Sequence, residues 1–403
     1  MKALFRIGLL SCILLSLVNS KALAQNAENS SEDGDWKFQT AKPIWSPDGK
    51  KIAFVSIKET SQRICVIDAD GKNLTEVPNT ESALNWKEFC WSPDSKKIAF
   101  IRSSQKAPLI NALCIVGVDG NDLKVLTDPK VSCQYISWAP KGDDIAFVKF
   151  VTPTNQAVKV NNEIWVANSN DGTSYALADG DLPSWSPDGK QIAFLTKKDR
   201  GPNAINIINV ADKKQHSYIP KDSRETWITD LSDKVRIQWS PDGSKLFFPG
   251  RSNSTLSILT KDVPNREATI YGDGDPSLRL SPDGKIIIVV LESALYSIDL
   301  TRVRPFRNPQ EAISGKIAGE CKTSLRIVNN LTTNTDDSET DPCWSPDGKQ
   351  IVFMRGYEVM VMSLADSKRS QLFERSKLIQ IEKQKASGKT IASTNTPEAV
   401  VKK

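Results

Sequence analysis

Trp45-Ser-Pro-Asp-Gly-Lys-Lys-Ile-Ala-Phe54 is the stretch on which the fold turns, because the chain writes it seven times. Trp91, Trp138, Trp185, Trp239, Leu280 and Trp344 open the other copies, at spacings of 46, 47, 47, 54, 41 and 64 residues. Each copy reads as a hairpin. The residues up to Trp end one strand. Pro presets φ near −65° at the first corner, Asp bonds its own backbone, and Gly takes the left-handed position. A type I turn followed by a left-handed residue is a favoured three-residue hairpin connection. Ile-Ala-Phe then alternates as a buried strand. Most spacings lie near the period of a four-stranded propeller blade. Six of the ten tryptophans occupy this one position, which assigns them a repeated packing role.

Two more strands follow each hairpin. Ile64–Asp68, Leu113–Val118 and Glu163–Ala167 are examples of the third, and several end in Asp-Gly turns such as Asp70-Gly71 and Asp119-Gly120. The fourth strands are short, as in Leu74–Val77 and Leu123–Leu126. The expected fold is therefore all-β: a seven-bladed β-propeller of four-stranded antiparallel blades, a closed form that leaves no long sheet edge. Repeat six has Leu280 for Trp, and repeat three has Lys141 for Asp. An insertion separates repeats six and seven, covering residues 301–322 and 329–341.

Outside the repeats the chain changes character. Lys2 and Arg6, an apolar run from Ile7 to Val18, and Ala22-Leu23-Ala24 read as an export signal over residues 1–24. The apolar run is short for a membrane span. The expected organisation is a signal peptide at 1–24, a linker at 25–40, the propeller at 41–376 and a disordered basic tail at 377–403. The formal charge of +5 belongs to the two ends. Residues 1–24 carry three positive charges and no acid, and residues 377–403 carry six lysines against two glutamates. The body between is slightly acidic, so it lacks the electrostatic footprint of a nucleic-acid binder. Peripheral membrane contact is left to the tail. A monomer, periplasmic or secreted, is expected.

Six cysteines follow the signal: Cys65, Cys90, Cys114, Cys133, Cys321 and Cys343. An even count in an exported chain suggests disulfides. Sequential pairing, 65–90, 114–133 and 321–343, closes the shortest loops, among fifteen possible connectivities.

The motif WSPDGK-x-IAF, followed by a strand such as ICVIDADG and a short strand such as NLTEV, resembles the TolB-type propeller repeat over residues 45 to about 374. It is similar also to the propellers of prolyl-oligopeptidase-type peptidases and of some polysaccharide lyases. The resemblance implies the fold. TolB carries an α/β domain ahead of a six-bladed propeller, whereas about twenty residues here separate the signal from the first repeat, so the Tol-Pal partnership is not carried over.

Chemistry is sparse by inventory. Serine hydrolases need a base beside the nucleophile, normally His, and this chain has one histidine, His216. No Gly-x-Ser-x-Gly elbow occurs. The turn acids Asp48, Asp94, Asp188, Asp242, Asp283 and Asp347 recur with the turn and read as structural. The expected reading is thus a non-enzyme: a binding scaffold for an envelope protein or peptide. The alternative is a lyase-like enzyme acting on acidic polysaccharide through basic residues. The expected partner surface is the face opposite the SPDG turns. Lys87, Glu88, Gln134, Asp181, Arg236, Asp275 and Asp341 precede the motifs there, and Lys58, Arg102, Lys149, Arg251 and Arg355 follow the second strands. No cofactor is expected, although acids and carbonyls near the axis leave room for calcium.

Overall fold

The computed structural model describes residues 38–58, 61–83, 88–103, 111–128, 131–150, 162–196, 204–218, 236–249, 255–260, 266–269, 274–291, 294–301, 328–331, 338–364 and 369–373. The signal, the basic tail, most of the linker and much of the insertion lie outside these residues. Among the described residues the strands form six antiparallel sheets of four and one of five. Numbered along the chain, the sheets span residues 38–83, 89–125, 132–179, 181–218, 238–269, 274–330 and 339–373. Each takes its four strands in sequence order, and the extra strand, Ser82–Ala83, pairs with Ser61 and Gln62 in the first sheet. This is an all-β propeller of four-stranded blades.

The first strands of neighbouring sheets lie against one another, so the strand that ends in the motif Trp is innermost. The blades meet through apolar side chains of alternating strands. On the third strand of sheet two, Ala112, Cys114 and Val116 face the first sheet, while Leu113 and Ile115 face the third. The last seam joins the first sheet to the seventh. Trp45, Ile52, Phe54, Cys65 and Ile67 of the first sheet bury against Val352, Met354, Val359 and Val361 of the seventh. Thr40 Oγ1 donates to the Tyr357 carbonyl at 2.6 Å across that seam. Among the described residues these two sheets share no strand, and apolar side chains pack across the closure.

The motif tryptophans stitch the seams. In four of them the indole N–H reaches back to the carbonyl just before the aromatic position of the preceding sheet. Trp91 donates to Ile44 at 3.2 Å, Trp185 to Ser137 at 3.0 Å, Trp239 to Ser184 at 3.0 Å and Trp344 to Arg279 at 2.9 Å. Sheet six, with Leu280, has no indole to offer. There Gln238 bridges instead, donating to the Leu278 carbonyl at 2.6 Å and accepting from the Leu280 amide at 3.0 Å. Trp45 and Trp138 keep indole nitrogens that are buried and without an acceptor. At both of those seams the residue in the preceding sheet is a cysteine, Cys343 or Cys90, whose sulfur accepts from the backbone of Trp45 or Trp138.

The SPDG turns repeat atom for atom. Ser46 Oγ donates to Asp48 Oδ1 at 2.6 Å and accepts from the Lys51 amide at 2.9 Å, while the Lys50 amide donates to Asp48 Oδ1 at 3.1 Å. At five of the turns the preceding sheet's proline sits beside the left-handed glycine, whereas Gly142 of the third turn stands in open space. Pro241 Cδ would lie 2.8 Å from a Cβ at Gly284, where φ is 73°. Ser95 takes that position in the second turn at φ 60°, and its hydroxyl accepts from the Asp48 amide at 3.1 Å, which compensates the strained backbone.

The expected disulfides are not formed. Cys65, Cys90, Cys114, Cys133 and Cys343 are thiols, and Cys321 lies outside the described residues. Sequence proximity misleads because alternation sends near neighbours to opposite faces of a blade. Cys65 faces the seventh sheet and Cys90 the third; Cys114 faces the first sheet and Cys133 lies in the core between the second and third.

The indole ladder predicts unequal substitutions. Trp344→Phe should lower stability to denaturant by about 1 kcal/mol, through one lost hydrogen bond. Trp45→Phe, which removes an unsatisfied donor, should cost measurably less in the same titration.

Candidate functional site

The innermost strands carry a recurring irregularity. Between Ala41 and Ile44 an extra residue is inserted against the neighbouring strand, and the same bulge recurs between Gln134 and Ser137, Asp181 and Ser184, and Thr340 and Cys343. The residue three before each Trp then takes a left-handed conformation: Lys42 at φ 55°, Tyr135 at 54°, Leu182 at 54° and Asp341 at 51°. A left-handed non-glycine residue is uncommon, and such strain concentrates at binding sites. In sheet six the bulge is longer, running from Asp275 to Arg279.

Glu88 and Arg236 occupy the same place in sheets two and five. Their side chains meet, with Arg236 Nη2 3.5 Å from Glu88 Oε1. Those sheets stand on opposite sides of the ring order, so the pair spans the axis. The Glu88 side chain is 3% exposed and that of Arg236 is 30%. Glu88 Oε2 accepts from the Tyr135 amide at 2.5 Å, which holds the carboxylate against the bulge of sheet three. Its Oε1 has no hydrogen bond. The charges of Lys42, Glu88 and Arg236 all act on the Cys90 thiol, whose pKa burial nonetheless pushes up to about 12. Burial likewise raises Cys114 and Cys133 to about 11, so these thiols stay protonated at neutral pH.

A second buried acid was not among the expected residues. Glu339 is 1% exposed and receives Arg355 Nη2 at 2.6 Å and Nε at 3.1 Å on one oxygen, with the Leu295 amide at 3.3 Å on the other. It locks the seam between sheets six and seven.

The remaining expected site residues fall into several groups. Lys149 Nζ lies 4.1 Å from the Trp165 ring centroid, whose indole donates to Glu163 at 2.8 Å. Arg102 donates to the Asn79 carbonyl of the preceding sheet and lies over Phe100. Asp181 is buried and accepts from Asn162 at 2.6 Å. Lys58 closes its strand opposite Phe38, and Gln134 is half-buried at the bulge. Thr340 donates to Asp341 at 3.4 Å. Asp275 is placed by its backbone alone, and Lys87 and Arg251 lie outside the described residues. The expected basic ring is thus engaged locally at Arg102, Lys149 and Arg355. Glu88 and Arg236 are the two expected residues that meet across the axis. Spacing from Trp would have aligned Lys42 and Tyr135 with them.

Clefts of about 300 and 270 Å³ lie on the other face, between the turns of sheets six and seven and beside those of sheets four and five. Their acids are turn carboxylates. Asp242 is held down to about 2, first by the Ser240 hydroxyl and then by the Ser244 amide and hydroxyl. Among the described residues no three of His, Cys, Asp and Glu gather as a metal-binding group. His216 sits exposed on the outermost strand of sheet four, 5.9 Å from the Tyr218 ring.

No family model matches the chain. Dipeptidyl-peptidase 5 of Porphyromonas gingivalis is 24% identical over 208 residues, covering 49% of this chain and 30% of that protein. The uncharacterized peptidase YuxL of Bacillus subtilis is 25% identical over 238 residues, covering 57% and 29%. The chain spans about a third of the length of these relatives. The β-propeller domain of the Trilobed protease from Pyrococcus furiosus superposes with a TM-score of 0.56 at 14% identity, covering 84% of this chain and 97% of that one. An oligogalacturonate lyase in complex with manganese gives 0.52 at 14%, covering 78% and 86%. TolB from Acinetobacter baumannii gives 0.44 at 17%, covering 78% and 77%. The structural likenesses show the fold alone. The peptidase relatives overturn the expectation of a non-enzyme.

Two measurements test the electrostatics. A depressed carboxylate stabilises the fold above its unfolded pKa, near 3.9, and that contribution is lost as pH falls through the folded value. Wild type should therefore outlast Asp242→Asn in urea at neutral pH, with the difference gone by about pH 2. Arg355→Met strands the Glu339 carboxylate and should cost roughly 3–5 kcal/mol, and adding Glu339→Gln should recover part of that loss.

Proposed function

We propose that this chain is the substrate-holding propeller of a peptidase, seven-bladed and exported to the envelope, which takes polypeptide at the axial end away from the SPDG turns. The observation that carries this reading is the match to two peptidases over a chain built from blade repeats. The site adds support. The turn face spends its serines and aspartates on its own hairpins, whereas the axis gathers Glu88, Arg236 and Lys42 beside strained backbone. Polar groups converging in a concave, otherwise apolar scaffold are the usual make-up of a ligand site.

The division of labour follows from the inventory. A Ser-His mechanism needs imidazole within hydrogen-bond reach of its nucleophile. The one histidine stands on an outer strand. The axial residues therefore bind and orient the substrate, and a catalytic unit placed over that face performs the hydrolysis.

Fluorescence anisotropy of the full chain with labelled pentapeptides tests the reading. Saturable binding in the micromolar to millimolar range, weakened by charge reversal at Arg236, is expected. Absence of peptide binding, together with unsaturated products from polygalacturonate, would replace it with the lyase alternative.

A further inference from the structure

We infer that Arg102 is a carboxylate receptor at the rim of the peptide face, so that the chain prefers polypeptide bearing an acidic group. This rests on the peptide-binding reading above and adds a specificity-determining residue to it.

Two blades place an arginine at the same point of the repeat. Arg102 and Arg355 each stand eleven residues after the motif Trp, near the end of the second strand that points away from the SPDG turn. Each folds back over the phenylalanine two residues before it. The guanidinium carbon lies 5.6 Å from the Phe100 ring centroid in one blade and 5.8 Å from that of Phe353 in the other. In sheet seven a carboxylate completes the arrangement, because Glu339 Oε1 accepts from both Nε and Nη2 of Arg355. Glu339 stands five residues before its Trp, and the fifth residue before Trp91 is the uncharged Trp86. Arg102 Nη2 donates instead to a neutral acceptor, the carbonyl of Asn79 in the first sheet. Its Nε is buried without a hydrogen bond. Among the described residues no carboxylate pairs with it.

A partly buried guanidinium with an unused N–H is short of one acceptor and one negative charge. The site is also held ready. Phe100 supports the guanidinium from one side. Asn79 is pinned on the other, its Nδ2 donating to the Gly120 carbonyl at 3.1 Å and its backbone left-handed at φ 63°. Arg102 is half-buried, and its bond to Asn79 lies at the surface, where a ligand can reach it. A carboxylate takes two guanidinium N–H groups in parallel. Entering as Glu339 does in sheet seven, it occupies the Nε–Nη2 edge, and water solvates the released Asn79 carbonyl. A carboxamide lacks the charge and gains far less.

Anisotropy of dansyl-labelled peptides against the full chain tests this, with the urea midpoint by tryptophan fluorescence as the check on folding. The probes are Ala-Ala-Glu-Ala-Ala amide, its Gln counterpart, and pentaalanine as free acid and amide. Wild type is expected to bind the Glu peptide on the order of tenfold more tightly than the Gln peptide. Arg102→Gln should bring that ratio to one and leave the affinity for the Gln peptide unchanged. Arg102→Lys, which keeps the charge without the fork, should retain about a third of the preference and stands in if Arg102→Gln fails to fold. Lys72→Gln, an equal loss of charge on the turn face, should keep the wild-type ratio. The pentaalanine pair identifies the source of the carboxylate. An advantage of the acid that Arg102→Gln removes assigns the chain end as well, and one confined to the Glu peptide assigns the side chain.

A second measurement is independent of peptide. Potassium acetate, compared with potassium chloride at equal ionic strength, should raise the urea midpoint of wild type and not that of Arg102→Gln. Peptide binding with no preference for either carboxylate would overturn the inference and leave peptide binding intact. A preference that survives in Arg102→Gln would overturn the assignment to this residue. Acetate protection with no peptide bound would keep the carboxylate site and remove the peptide reading, and the absence of both would remove the two together.

Discussion

The contact on which the whole ring depends is the burial of one blade's aromatic and aliphatic side chains against the next. Each sheet is too small to bury both of its faces alone. Trp45, Phe54 and Ile52 are core only because the seventh sheet lies over them, just as Trp344 and Phe353 are core against the sixth. Apolar burial of this kind is non-directional, so it sets no register by itself. The indole N–H supplies direction. It ties Trp91, Trp185, Trp239 and Trp344 each to one carbonyl of the preceding sheet, and where Leu280 removes the donor, Gln238 supplies an equivalent bridge.

That arrangement accounts for the separation of the two faces. On the turn face, serine, aspartate, proline and left-handed glycine satisfy one another within and between neighbouring hairpins, leaving shallow polar clefts. Toward the axis the innermost strands must converge, and those of sheets one, three, four and seven accommodate the crowding with an inserted residue, that of sheet six with a longer bulge. The inserted residue is strained and turns a different set of side chains toward the neighbouring blades. Buried acids follow. Glu88 and Glu339 each hold a backbone amide of an adjacent sheet with one oxygen and face an arginine with the other. One of these pairs locks a seam and the other crosses the axis.

Much of this was legible in the residues. The motifs announced the blades, and the third strands fall where the sequence places them, as at Ser61–Asp68 and Glu163–Asn168. The turn aspartates were read as structural, and their hydrogen bonds agree. The disulfides were misread. Counting cysteines along the chain ignores that alternate residues of a strand face different blades, and Cys114 and Cys133 answer to that alternation. Arg355 was selected as part of a basic face, yet its partner Glu339 lies sixteen residues earlier and on another strand, where spacing carries no warning.

Sequence by itself determined the repeat, the hairpin and the layer of aromatic core, because those depend on neighbours within a few residues and on a period that any reader can count. Only tertiary structure decided which polar residues meet. Glu88 and Arg236 are separated by three blade repeats along the chain, and only the folded ring brings them together. The bulges of neighbouring sheets, such as the one whose Tyr135 amide holds Glu88, shift strand register by one residue, and a one-residue shift reverses which side chains face the core. The visible motif therefore specifies the scaffold, while the axial pair, which has no motif at all, exists only once the blades surround a common axis.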